Sequence, residues 1–227
     1  MNDTTHADTT ASPRLICMKM AELGRRSGIP VATIKFYLRE GLLPAGEYRL
    51  PNQATYTDEH LRRLTMIRSL LEVGGLSIAA AKRVFHAIDS DMPLAETLEV
   101  AQHAISETPE LSTLNPAALA TVDDITHGWH IFPENPGRLA AARTIDTFWS
   151  IGQEDTHGWF ARYAKAAMLA AEADIDELQA RTSRDAQAET VVVGTLLGDA
   201  LFAALHRAAQ EHVTSLRFAT DHNHHEA

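Results

Sequence analysis

The sequence predicts a mainly all-α protein with one small β wing, arranged as an N-terminal helical module and an all-helical C-terminal domain. Three observations predict it. Apolar residues recur at three- and four-residue spacing in successive segments from Met20 to Phe218. Strand-like alternation appears nowhere of any length outside the loop around residue 50. Glycine and proline fall between the helical segments rather than within a regular strand pattern.

The first module is the most informative. Met20 and Leu23 give an apolar edge before Gly28, a residue suited to a sharp turn because it takes positive φ at little cost. Pro30 can open the next helix, since its missing N–H has no partner in a first turn anyway. Val31, Ile34 and Leu38 then repeat at helical spacing, and Gly41 ends the segment. Two short helices around a tight turn, the second with basic residues outward, form a helix-turn-helix. The segment Ala45–Ala54 reads as a loop, with Tyr48–Leu50 and Thr55–Tyr56 as short strands of a wing. Thr57 or Asp58 caps a helix in which Leu61, Leu64, Ile67 and Leu71 line one face, and Gly74-Gly75 stops it. Ser77 caps another, with Ile78, Ala81, Phe85 and Ile88 as its stripe.

These pieces carry a resemblance. The helix-turn-helix (Met20–Arg39), the Gly41–Pro44 GLLP and the Thr55–Ser77 segment TYTDEHLRRLTMIRSLLEVGGLS resemble, in order and spacing, the DNA-binding domain of the MerR family of bacterial transcription regulators. The resemblance implies a homodimer on double-stranded promoter DNA that distorts the duplex so that RNA polymerase can engage. It aligns Thr33, Lys35, Phe36 and Tyr37 with the family's Thr-Leu-Arg-Tyr-Tyr pattern, so Lys35 takes the arginine position. Lysine is a point charge without the arginine fork, which softens base specificity there. The usual wing Gly-Tyr-Arg is replaced by Asn52, Gln53 and Ala54, leaving Arg49 to substitute. The expected DNA contacts are Thr33, Lys35, Tyr37, Arg39, Arg49, Arg62 and Arg63. Phe36 is expected in the core.

Charge agrees with this division. Residues 18–88 hold eleven Lys and Arg against six Asp and Glu, a net of +5; the rest holds nine against twenty-four, a net of −15. A basic module on an acidic body suits a protein that puts one face on phosphates. The single cysteine, Cys17, excludes an internal disulfide and suits the cytoplasm. No signal-like core is evident and no apolar run is expected to cross a membrane.

The domain reading is a disordered tail at 1–16, the DNA-binding module at 17–89, the helical dimerisation and effector domain at 90–220, and a flexible His-containing tail at 221–227. Leu94, Leu98, Ala101 and Ile105 form a stripe that Pro109 cuts short, so dimerisation needs the remaining helices. Helices are expected after Pro116, through Leu139–Trp149, from Trp159 towards Leu178, and from about Ala186 to Phe218. The last is apolar on most of its circumference. Aromatic residues concentrate in this domain. Core packing is one reading of them. The other is an effector site for a flat or cationic organic molecule between Ile125–Phe132, Ile145–Trp149 and Trp159–Tyr163, with Trp129, Phe148, Trp149, Trp159 and Tyr163 as lining residues. His127, His130 and His157 fall beside it. No cofactor, metal site or catalytic set is expected, because no histidine group has defined-site partners and no motif fixes Asp123-Asp124 in a cleft. Competing readings are a ligand-independent repressor or architectural protein, and a helical enzyme or metal-binding protein with an appended DNA module. A Thr-His-Gly-Trp tetrapeptide occurs at 126–129 and again at 156–159, with unlike flanks.

Overall fold

The structure, a computed structural model, describes residues 17–50, 53–105 and 109–218. The tails expected at 1–16 and 221–227 lie outside the described residues. By backbone contacts the chain forms two compact units, residues 1–68 and 69–227. The sequence boundary at residue 89 follows the extent of the motif, whereas this division follows packing and falls inside the helix Asp58–Glu72.

The first unit contains α1 (Met20–Ser27), α2 (Val31–Glu40), β1 (Glu47–Leu50), β2 (Gln53–Thr55) and the start of α3 (Asp58–Glu72). Gly28 ends α1 at φ 69°, the left-handed conformation its position predicts. Gly24 serves closeness instead: a Cβ there would meet Val31 Cγ2 at 3.1 Å and Ile29 O at 3.3 Å, so α1 and α2 approach only because it has none. Leu23, Ile34, Leu42, Leu43, Leu64 and Ile67 are fully buried. The wing is a two-stranded antiparallel ribbon whose register shifts between Tyr48 and Leu50. Its end is tied to the start of α1: Met18 N–H donates to Tyr56 O (2.7 Å) and Tyr56 N–H to Met18 O (2.8 Å). Thr57 precedes α3, and its N–H donates to His60 Nδ1 at 3.1 Å, with its hydroxyl 3.0 Å from the same ring nitrogen.

The second unit contains α4 (Ile78–Asp89), α5 (Leu94–Ile105), α6 (Pro116–Ile125), α7 (Pro136–Ser150), α8 (Trp159–Gln179) and α9 (Arg184–Phe218). Ser77 Oγ accepts from Ala80 N–H at the start of α4, and α4 buries Ala81, Val84, Phe85, Ala87 and Ile88. α4 and α5 pack against each other and against the first half of α9, which buries Ala188, Val191, Val192 and Leu196. Arg184 at the start of α9 reaches back to donate to the carbonyls of Ser90 and Met92, fastening the α4–α5 turn. α6 and α7 pair, and α8 packs on both α6 and α9. Pro116 and Pro136 each stand in a first helical turn behind an asparagine cap. Pro136 therefore starts α7, three residues before the Leu139 at which the helical spacing begins.

α9 behaves in two ways along its length. After Leu196 its apolar side chains emerge, with Leu201 60%, Leu205 59% and Leu216 71% exposed. It also holds an 18-residue window of mean hydropathy 1.6, so one helix is apolar and long enough to cross a bilayer by composition, contrary to the expectation that no run approaches that length. The packing of its first half on α4 and α5 accounts for part of that apolar content within the unit itself.

Candidate DNA-binding face and C-terminal cavity

Burying Ile34 fixes the rotation of α2, and rotation decides what faces outward. Lys35 and Arg39, four residues apart, are exposed on one side, while Thr33 and Tyr37 are half-buried. Phe36 is half-buried too, rather than in the core: its ring lies under the Arg39 guanidinium, 5.4 Å from ring centre to Cζ, and orients that cation. On α3, Arg62 is exposed. Arg63 is half-buried and donates from Nε to Leu42 O at 3.0 Å, bracing the segment that follows α2. Arg26 of α1 pairs with Asp58 of α3 at 3.1 Å, a tie that nothing in the spacing advertised. Arg49 falls at the register shift of the wing, and its side chain lies outside the described residues. Lys35, Arg39 and Arg62 are exposed, and Arg63 is half-buried with its Nε bond to Leu42 O.

The aromatic cluster of the second unit encloses space. A half-open cavity of about 520 Å³ lies among α6, α7, α8 and α9. Trp129, Phe148, Trp159 and Tyr163 line it, together with Phe160 and Phe202. Phe148 meets Trp159 edge-on at 5.1 Å, and Trp159 lies nearly parallel to Phe160 at 5.8 Å. Trp149 does not line it. It borders a separate depression with Thr121, Glu154 and Asp155, because one residue along a helix is a rotation of about 100° and Phe148 already faces the cavity. The three neighbouring histidines, His127, His130 and His157, are not among its walls. Arg138 and Phe202 are walls that spacing did not reveal; Phe202 comes from a helix some forty positions beyond Trp159, and only the tertiary fold brings it there. Among the described residues no group of three or more His, Cys, Asp or Glu side chains is placed to hold a metal.

The repeated tetrapeptide resolves into two different structures. Thr126–Trp129 follows the end of α6, whereas Thr156–Trp159 precedes α8, where Asp155 receives the N–H groups of Trp159 (Oδ1, 2.5 Å) and Phe160 (Oδ2, 2.7 Å). Desolvation, the largest single influence, pushes the Asp155 carboxyl up, but the N–H donors of Phe160, Trp159, His157 and Gly158 together hold it below its ordinary value. Asp155 therefore positions the two rings that begin α8 and wall the cavity.

Two helices around a left-handed glycine turn, an outward cationic face and a β wing define a winged helix-turn-helix DNA-binding module. Residues 18–88 match the MerR HTH family regulatory protein family, so this block is a MerR-type domain. Among solved structures, the chain is similar to a candidate transcriptional regulator, SCO5550, from Streptomyces coelicolor A3(2), at 29% identity and a TM-score of 0.67, over 90% of this chain and 99% of that one. No curated protein matches.

Replacing Asp155 by alanine is expected to lower the thermal midpoint near neutral pH. Because the folded carboxyl titrates below its unfolded value, its stabilisation is complete above the ordinary carboxylate range near 3.8 and is lost as pH falls through the folded value. The gap in melting temperature between wild type and Asp155→Ala should accordingly close on acidification; a gap independent of pH would show that the carboxylate is not the capping group.

Proposed function

We propose that this protein is a homodimeric, cytoplasmic regulator of transcription that binds promoter DNA through residues 18–88, alters the duplex for RNA polymerase, and responds to a small organic molecule held in its helical domain. It is not read as an enzyme. The observation that carries the proposal is the MerR-type block with Lys35 and Arg39 exposed on one side of α2, where a recognition helix enters the major groove. The net charge of +5 in that block, on a chain of −10, supports phosphate contact there. Thr33 and Tyr37, one turn apart on another side of α2 and half-buried, are assigned to flanking DNA contacts, Arg62 to phosphate, and Arg49 to the wing contact. The bond from Arg63 to Leu42 O makes its role chiefly one of support.

The dimer is supported by what α8 and α9 leave uncovered. Leu169, Ile175, Leu201, Leu205, Val213 and Leu216 are exposed on two long helices. An apolar surface of that extent on a protein in water is a surface that a partner covers, and a second copy satisfies it with closed symmetry. The short α5 helix, cut by Pro109, offers less.

For DNA, Lys35→Ala and Arg62→Ala together should weaken binding to a duplex selected by the protein from a random pool, with the slope of log affinity against log salt reduced by about 2 and the melting temperature little changed. An unchanged affinity and slope would place the docking face elsewhere. For assembly, sedimentation should find two chains per particle, and Leu205→Glu with Leu216→Glu should give folded monomers, since both side chains are exposed in the single chain. A monomeric wild type, or a dimer indifferent to both charges, would contradict the α9 interface.

A further inference from the structure

The cavity's polar groups are the unusual part of it. Six aromatic rings and several alanine and isoleucine side chains form most of its wall. Five polar side chains also line it, and each already has a partner in the protein. Thr126 Oγ1 donates to Val122 O at 2.7 Å and Thr144 Oγ1 to Ala140 O at 2.9 Å, both back into their own helices. Asn135 caps α7 with its oxygen and donates its amide to Gln102 at 3.3 Å. Tyr163 Oη meets His206 Nε2 at 3.4 Å. Among the described residues Arg138 is the sole charged one on the wall, and its guanidinium is occupied: Nε and Nη2 each donate to an Asp123 carboxylate oxygen at 2.7 Å, and Nη1 donates to Pro133 O at 2.9 Å.

That arrangement decides between ligand charges. A cation entering this half-open cavity would lose part of its hydration and, among the described residues, find no carboxylate on the wall. The rings return about 0.5–2 kcal/mol by cation–π attraction, less than the several kcal/mol that desolvating an unpaired ion costs. An anion would have to take Arg138 from Asp123, breaking a two-pronged pair of the strong, charge-assisted kind. A neutral apolar molecule faces neither cost, and a cavity of about 520 Å³ is of the size that holds a drug-sized molecule.

We infer that the cavity selects a neutral, apolar organic molecule, of aromatic or polycyclic type, against cations and anions of the same shape, with the Asp123–Arg138 pair serving to cancel the only charge on its wall. The inference rests on the proposed ligand-binding role of this cavity and narrows it, since the sequence alone left a cationic ligand open. Asp123 is a positioning residue: it is not on the wall and acts through Arg138.

The experiment uses the full-length protein and three dyes sharing one ring system: neutral N-phenylnaphthylamine, its sulfonated analogue, and its trimethylammonium derivative, followed by dye emission and tryptophan quenching. The neutral dye should bind at least about tenfold more tightly than either charged one, about 1.4 kcal/mol. Ala167→Phe, at an exposed position on the cavity wall, should weaken it. Asp123→Asn should narrow the preference of neutral over sulfonated dye several-fold, by leaving the Arg138 charge uncancelled. Either charged dye binding as tightly as the neutral one, or a preference that Asp123→Asn leaves alone, would overturn the inference while leaving a ligand site standing. Binding of no dye, or binding indifferent to both Ala167→Phe and Thr144→Phe, would overturn the site itself.

Discussion

The second unit depends on one constraint: α9 is a 35-residue helix, about 52 Å long, with apolar residues on most of its circumference. Such a helix is costly in water unless different stretches of it are covered by different things. Ala188, Val191, Val192 and Leu196 are buried where α9 packs on other helices of the unit, α4, α5 and α8 among them. Phe202 closes the cavity against α6, α7 and α8. Leu205, Val213 and Leu216 stay exposed, on the surface proposed for a second copy. One rigid element thus touches, in order, the last helix of the MerR-type block, the cavity, and the surface assigned to dimerisation. Arg184 ties its start to the α4–α5 turn through the carbonyls of Ser90 and Met92.

The DNA-binding unit rests on smaller constraints. Gly24 lets α1 and α2 approach, Ile34 sets the rotation of α2, and the Met18–Tyr56 bridge holds the wing to the start of α1. Each acts on geometry and none touches DNA. Their joint result is that Lys35 and Arg39 face outward with Arg39 laid over Phe36.

Much of this was legible in the residues. Gly28, Pro30 and Gly41 punctuate the helix-turn-helix because each has a backbone property its neighbours lack, and the helical spacing of Ile34, Leu64 and Ile67 marks positions that are fully buried. Trp129, Phe148, Trp159 and Tyr163 were placed together by density of aromatics alone, and the fold brings them to one cavity. Trp149 falls outside that cavity for a reason the helix itself supplies: adjacent residues face different ways. Phe202, Arg138 and the Arg26–Asp58 pair were not legible, because which helices meet is decided by tertiary packing and no local pattern encodes it. The emergence of α9 from cover after Leu196 was likewise hidden, since its composition is apolar on both sides of that point.

The central proposal is that a molecule bound in the cavity changes the affinity of the chain for DNA. The direct measurement is DNA affinity of the full-length protein with and without saturating N-phenylnaphthylamine, paired with dye affinity with and without DNA. Linkage requires the two ratios to be equal, and a regulator of this kind should show a factor of about 5 or more in both. Equal DNA affinity in the presence and absence of bound dye would contradict the account, leaving a DNA-binding domain and an apolar cavity that share a chain without communicating.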